Sequence, residues 1–295
     1  MPRPAEVLDA PALVTPLRSG LFLAASGPRT MPTHVVDVGA QWFSDACGSS
    51  RLYPAGCMEP PYTPYLLDEA GGMEYALPFN VYATTVCPPV GVSAADARDR
   101  VQRRLQKSEQ RAVERAFWGG QALIDNPPPQ IDTPVIKGLV QLLSEEVPTG
   151  ITLLAGTAAT LTEAVSLLEQ QAADSSYDGP LLLHARKRVA AYAGKNGLIK
   201  SRISSDGEHQ YTHGGSEWVF GNGYAGTSPD NATPPDATTE YLVITGQVHI
   251  WQGTVSTSPP DQILDKTTNQ RGMIAVRPYA IGVECFAAAV KFTRA

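Results

Sequence analysis

Residues 93–119, SAADARDRVQRRLQKSEQRAVERAFWG, decide how the chain is read. Ser93 can cap a helix with Asp96 three residues on, because the hydroxyl accepts a first-turn N–H while the acid reaches back to the cap. Ala97, Val101, Leu105, Ser108, Ala112 and Ala116 then recur every three or four residues as a narrow apolar stripe. The spacing predicts one long helix from Ser93 to about Trp118, roughly 39 Å at about 1.5 Å per residue, stopped by Gly119-Gly120. Its other faces carry Arg98, Arg100, Arg103, Arg104, Lys107, Arg111 and Arg115 against Asp96, Asp99, Glu109 and Glu114. This is a locally basic helix, read first as a solvated face laced with i, i+4 ion pairs and second as a nucleic-acid contact.

Around this helix the 295-residue chain is 43% hydrophobic and only 18% charged, with a net charge of -6. That balance is neither disordered nor charge-crowded, and it suits a protein packed against copies of itself. An acidic total argues against coating nucleic acid with the whole surface but leaves local basic faces open. No apolar run approaches the length of about eighteen residues that a membrane span needs. Met1 to Leu23 carries Asp9 and several prolines where a signal peptide would have its apolar core, so neither export nor a membrane partner is expected. The start at Met1 is read as a chain without a long leader removed in maturation.

Upstream of the helix, residues 1–40 are broken by prolines and read as an extended arm. Cys47 to Pro89 is rich in Pro, Gly and Tyr, including Pro60-Pro61-Tyr62-Thr63-Pro64-Tyr65 and Gly71-Gly72, a turn-filled excursion whose backbone needs partners outside itself. Leu77 to Ala83 reads as a strand with Pro78 at its start, where a missing N–H is tolerated. Downstream, Pro127-Pro128-Pro129 breaks the chain, and helices are expected at Val135–Leu143, Thr162–Gln171 and about Pro180–Tyr192. After Gly194-Lys195-Asn196-Gly197 the pattern turns to strands: Glu217–Phe220, Tyr241–Thr245, Val248–Trp251 with Gly246-Gln247 as a tight hairpin, and a last strand Ile281–Phe292. Helices and strands in separate runs make the fold class α+β.

The chemical motifs are weak. Gly221-Asn222-Gly223-Tyr224-Ala225-Gly226 matches a dinucleotide fingerprint after a short strand. The phosphate, however, needs the N-terminus of a following helix, and Thr227-Ser228-Pro229-Asp230 leads instead to Pro234-Pro235. His209 and His213 stand four apart near Glu208, a helical metal spacing, but Asp206-Gly207 and Gly214-Gly215 flank them and make exposed loop histidines the expectation. Cys47, Cys57, Cys87 and Cys285 have neither zinc spacing nor the density of a disulfide scaffold, and read as small buried apolar residues. No Gly-x-Ser-x-Gly elbow and no phosphate loop occurs. No catalytic, cofactor-binding or metal residue is therefore assigned, no cofactor is expected, and the chain is not read as an enzyme. The competing enzyme reading places a nucleotide at Gly221–Gly226 and requires a helix directly after Gly226.

Several stretches in order carry a resemblance. They are Pro78-Phe79-Asn80-Val81-Tyr82, then Cys87, then the helix closing on Ala112-Val113-Glu114-Arg115-Ala116-Phe117-Trp118-Gly119. Val219 to Gly226, the Thr245-Gly246-Gln247-Val248 hairpin and Asn269 to Tyr279 follow. Over residues 75–295 the chain resembles tailed-bacteriophage major capsid proteins of the Hong Kong 97 fold. The resemblance implies an N-terminal arm at 1–40 and an extended-loop region at 41–76 that reaches onto a neighbour. It implies a peripheral domain at 77–149 and 252–295 built on a spine helix at 93–118, and an axial domain at 150–251. It implies a structural subunit that self-assembles as pentamers and hexamers into an icosahedral head around double-stranded DNA, made in the host cytoplasm and resident in the virion. The partners implied are copies of itself, a separate scaffolding protein, a portal, a cement protein where one is used, and weak non-specific contact of the spine with packaged DNA. No residue matches the cross-linking groups of some members, so a shell without isopeptide bonds is expected. An encapsulin-type nanocompartment shell is the alternative on the same fold.

Overall fold

The computed structural model describes residues 19–33, 40–43, 73–76, 78–87, 93–119, 152–175, 177–228, 236–258, 264–265, 270–284 and 286–294. In chain order the elements are α1 (Leu21–Ala24), β1 (Arg29–Thr30), β2 (Ala40–Phe43), β3 (Met73–Ala76), β4 (Pro78–Cys87) and α2 (Ala94–Gly119). They continue as β5 (Thr152–Ala158), α3 (Leu161–Asp174), β6 (Leu182–Arg186), α4 (Val189–Lys195), β7 (Lys200–Ile203), β8 (Glu208–Tyr211) and β9 (Glu217–Gly221). The last are β10 (Thr239–Thr245), β11 (Val248–Gln252), β12 (Ser256–Thr257), β13 (Leu264–Asp265), β14 (Gln270–Val283) and β15 (Ala287–Thr293). The expected helix at Val135–Leu143, residues 1–18 and 34–39 of the arm and residues 44–72 of the extended-loop region lie outside the described residues; the described part of the arm does not extend away, since Leu21 is buried in the core and β1 pairs β11.

The spine forms where the capping pattern places it. Ser93 Oγ accepts the Asp96 N–H at 3.1 Å while the Asp96 carboxylate accepts the Ser93 N–H at 3.2 Å, the reciprocal cap that satisfies two otherwise orphaned donors. The buried stripe is broader than the sequence suggests and rotates along the helix. It begins with Ala97, Val101 and Leu105, then passes through Glu109, Val113 and Phe117 instead of Ser108, Ala112 and Ala116. At 3.6 residues per turn a strict four-residue step drifts around the cylinder, and the helix packs on both β4 and β14.

Two sheets flank the spine. One runs β1-β11-β14-β12, with β4 and β13 also pairing β14; β4 pairs β14 antiparallel over ten residues, Pro78 opposite Ala280 to Cys87 opposite Arg271. The other has seven strands in the order β5-β15-β10-β6-β9-β8-β7. Alternate residues of the seven-stranded sheet face opposite cores. Leu182, Val219, Tyr241, Val243, Ala287 and Ala289 join the spine and β14, while Leu183, Phe220, Leu242, Ile244, Ala288 and Val290 pack under α3 and α4. Both faces are covered, which is why β10 is buried at every position.

Gly246-Gln247 is not a hairpin. Thr245 ends in the seven-stranded sheet and Val248 begins in the other, and the same crossing is made in reverse between Val283 and Ala287. Gly246 donates its N–H to the Phe286 carbonyl at 2.8 Å and Glu284 donates to the Gln247 carbonyl at 2.9 Å, so the two crossings run as one antiparallel ribbon through both sheets. For the same reason the single strand expected at Ile281–Phe292 is two, β14 and β15, broken where the ribbon changes sheet. Sheet membership accordingly crosses the expected boundary at 251/252 in both directions: β11 pairs β14, and β15 lies between β5 and β10. The helix expected at Pro180–Tyr192 is also corrected. Leu182–Arg186 is a fully sandwiched strand, and the helix occupies Val189–Lys195. A short apolar run reads alike as a buried strand or a buried helix.

Candidate assembly site

The inner face of the spine carries two carboxylates that an apolar stripe would not contain. Glu114 is 0% exposed. One of its oxygens accepts the Leu21 N–H at 3.2 Å and the Gln110 side-chain amide at 3.0 Å; the other accepts the Gly223 N–H at 2.8 Å. Gln110 also donates to the Ser19 carbonyl at 2.9 Å. A buried charge is tolerated only when its oxygens are saturated with donors, and here they tie the N-terminal segment, the spine and the Gly221–Gly226 turn into one junction. Glu109, one turn earlier, accepts Arg277 Nη1 at 2.8 and 2.9 Å and so fastens the spine to β14. Burial raises the Glu109 pKa and outweighs the Arg277 charge that opposes it.

Beneath the spine lies a second polar knot. His184 is wholly buried, with Tyr224 Oη 2.9 Å from Nδ1 and Thr245 Oγ1 2.8 Å from Nε2. Thr245 donates its own hydroxyl to the Gly246 carbonyl, so it accepts from His184, which puts the imidazole proton on Nε2 and leaves Nδ1 to accept from Tyr224. Burial holds this imidazole neutral, its pKa lowered to about 3. Phe117 and Trp118 pack on the same Tyr224 ring, and Trp118 Nε1 donates to the Thr227 carbonyl at 3.2 Å.

The glycine-rich turn therefore has a structural occupation. After β9, residues 222–228 form no helix. Gly223 lies so close to the spine backbone at Arg111 and Arg115 that any side chain would collide with it, and Gly226, at φ +71°, lies against the Arg186 stem. The turn supplies no helix N-terminus for a phosphate, and its Gly223 N–H and the Thr227 carbonyl are bonded to Glu114 and Trp118 of the spine.

His209 is on β8 and 9% exposed, not in an exposed loop. Its Nδ1 is 2.6 Å from Glu217 and its Nε2 3.1 Å from Asp206. Burial alone would lower its pKa, but the hydrogen bonds and charges of the two carboxylates prevail and raise it. His213 is exposed, and its Nε2 lies 3.1 Å from the Gly197 carbonyl. The two histidines do not converge, and among the described residues no group of three or more His, Cys, Asp or Glu could hold a metal ion. Cys87 ends β4; Cys47, Cys57 and Cys285 lie outside the described residues. Near the start of β10, Glu240, also 0% exposed, holds Arg186, Arg188 and Arg294. Sequence reading missed Glu109, Glu114 and Glu240. The available clue for the first two was acids placed on a stripe that broadens after Leu105.

No protein-family model matches the chain, and no curated protein matches it in sequence. Solved structures match it from end to end. A chain of the capsid of an empty GTA particle, computed with C5 symmetry, superposes with a TM-score of 0.54 at 12% identity, covering 100% of this chain and 95% of that one. The fold is a capsid fold. The native GTA capsid gives 0.51 at 12% identity over 98% and 96%, and a chain from Mycobacterium phage Adephagia gives 0.50 at 12% over 99% and 96%. The α+β arrangement of a long helix against two mixed sheets is the Hong Kong 97 type, as the resemblance implied. Within this capsid fold the saturated carboxylates of α2 are joints between segments.

Proposed function

We propose that the chain is a shell subunit, the major capsid protein of a tailed phage, which assembles as pentamers and hexamers into an icosahedral head around double-stranded DNA. The observation that carries this reading is the end-to-end superposition on a GTA-particle capsid chain, with almost nothing left over in either chain.

In this reading α2 with the β4–β14 sheet is the peripheral domain, and the seven-stranded sheet with α3 and α4 is the axial domain directed at the five- or six-fold centre. The Pro and Tyr-rich excursion within Cys47–Gly72 is the extended loop on a neighbour, and residues before 41 are the arm. Interfaces then supply much of the stability, since interlocked symmetric copies bury far more than a standard contact. A scaffolding protein, a portal and a cement protein where one is used are separate chains, and the shell closes without isopeptide bonds. The basic outer face of α2, with Arg98, Arg104, Lys107 and Arg111 exposed, makes a weak contact with packaged DNA. Assembly takes place in the host cytoplasm and the product resides in the virion. Among the described residues no helix is long and apolar enough to cross a membrane.

Negative-stain electron microscopy of the purified protein, after sizing by light scattering, tests the proposal. Closed shells or rings of five or six subunits are expected, alone or with the scaffold. A monodisperse monomer or dimer under every assembly condition overturns it.

A further inference from the structure

The glycine-rich turn links two basic elements. Gly223 rests on the spine backbone at Arg111 and Arg115, and Gly226 rests on the Arg186 stem. Three residues reach at most about 11 Å, so Arg186 lies close to the basic C-terminal half of α2. Arg186 belongs to a cluster at the carboxyl end of β6. Glu240 is a wholly buried carboxylate, and one guanidinium would neutralise it, yet Arg186, Arg188 and Arg294 surround it. Lys187 is exposed between the first two, and Lys291 lies 3.7 Å from Asp236. Five cations against two carboxylates leave three positive charges in surplus, in a chain whose net charge is -6.

Such a cluster, placed without function, would be costly through self-repulsion. Its geometry suits a polyanion. A guanidinium held from behind by a carboxylate keeps its fork ordered before any ligand arrives, which removes part of the entropy cost of binding. The side chains of Arg188 and Arg186 are 41% and 28% exposed, so part of each is buried against Glu240 and part faces solvent. We propose that Arg186, Lys187 and Arg188 form a contact for the phosphate backbone of duplex DNA, with Glu240 as the positioning residue behind them. The inference rests on the shell reading above and adds a second DNA-facing locus to the spine. Duplex DNA fits better than an acidic patch on another copy, because a uniformly charged phosphate backbone meets three consecutive cations in any register, whereas a protein patch must match their geometry.

The test measures fluorescence anisotropy of a short labelled DNA duplex with the full chain across a salt series, on the same preparations imaged for shells. Lys187→Glu changes an exposed side chain and leaves the Glu240 pairs intact. It is expected to weaken binding severalfold at low salt and to make the slope of log K against log salt shallower by about 1; adding Arg188→Gln takes the loss to roughly 2. Unchanged slopes in both variants, with wild-type melting temperatures, overturn the proposal. So does normal DNA binding with failed shell assembly, which assigns the cluster to a contact between copies. If the wild type forms no shells while the variants still lose the slope, the phosphate contact stands and the shell reading falls.

Discussion

Glu114 accepts the N–H of Gly223 at 2.8 Å across a sequence separation of 109 residues, and both are buried. The same carboxylate accepts the Leu21 N–H. Glu114→Ala strands two buried backbone donors at once, each costing about 1–3 kcal/mol. Glu114→Ala is expected to lower stability by roughly 3 kcal/mol or more in a denaturant titration of the unassembled subunit. Glu114→Gln, which keeps one acceptor, should lose less; equal losses would mean that the acceptor geometry is not what matters.

Gly223→Ala tests the approach of the turn to the spine from the other side. Its methyl would meet backbone at Arg111 and Arg115, which cannot rotate away. Overpacking against a rigid helix costs about 1–3 kcal/mol, and the melting temperature should fall accordingly. Asn222→Ala, half-buried beside it, serves as the control and should change little.

Arg277 and Glu109 form a largely buried pair between β14 and α2. Removing one partner leaves the other charge uncompensated, so Arg277→Met is expected to cost about 3–5 kcal/mol. The double variant Glu109→Leu with Arg277→Met should recover most of that. A double variant as unstable as the single would show that the ion pair itself, and not the stranded charge, sets the energy.

Acid should act through His184. Its folded pKa is lowered to about 3 by burial, against 6.5 when exposed, so below pH 6.5 the unfolded chain takes up a proton that the folded chain refuses. Its contribution is fully present above pH 6.5 and is lost as pH falls toward 3, by roughly 3 kcal/mol at pH 4. His184→Gln should flatten that limb of a stability-versus-pH curve, and an unflattened curve would refute the assignment.

His209 has the opposite sign. Although burial works against it, its bonds to Glu217 and Asp206 raise its pKa, so its contribution is full below pH 6.5 and is lost as pH rises through the folded value. Melting temperatures taken from pH 6 to pH 9 should fall less for His209→Gln than for the wild type. Parallel falls would exclude His209 as the cause.

Local signals made the spine legible in the sequence. Ser93 and Asp96 announce its start, and Ala97, Val101 and Leu105 its buried face. The α+β class and the strands β9, β10 and β11 were equally readable. What stayed hidden depends on partners far along the chain. Gly246-Gln247 has the composition of a hairpin turn, and only its pairing with Glu284 and Phe286 makes it a crossing between sheets. Leu182–Arg186 is buried at nearly every position because both faces are covered, and that covering comes from α2 on one side and from α3 and α4 on the other. Glu109 and Glu114 read as solvent residues among arginines because their partners, Arg277, Leu21 and Gly223, lie far away in sequence. His209 read as a loop residue because Asp206-Gly207 and Gly214-Gly215 announce turns, although they close a short pair of strands.

The ribbon that threads both sheets also fixes a timetable. β5 acquires its partner β15, and β4 its partner β14, only after more than a hundred further residues have left the ribosome. At about 5–20 residues per second that interval is roughly six seconds or longer. Until then two strand edges stand open and neither sheet can close. Nascent chains crowded on one messenger are most vulnerable to wrong pairing in this interval, so a chaperone that shields strand edges should raise the yield of subunit far more than any change to its finished surface.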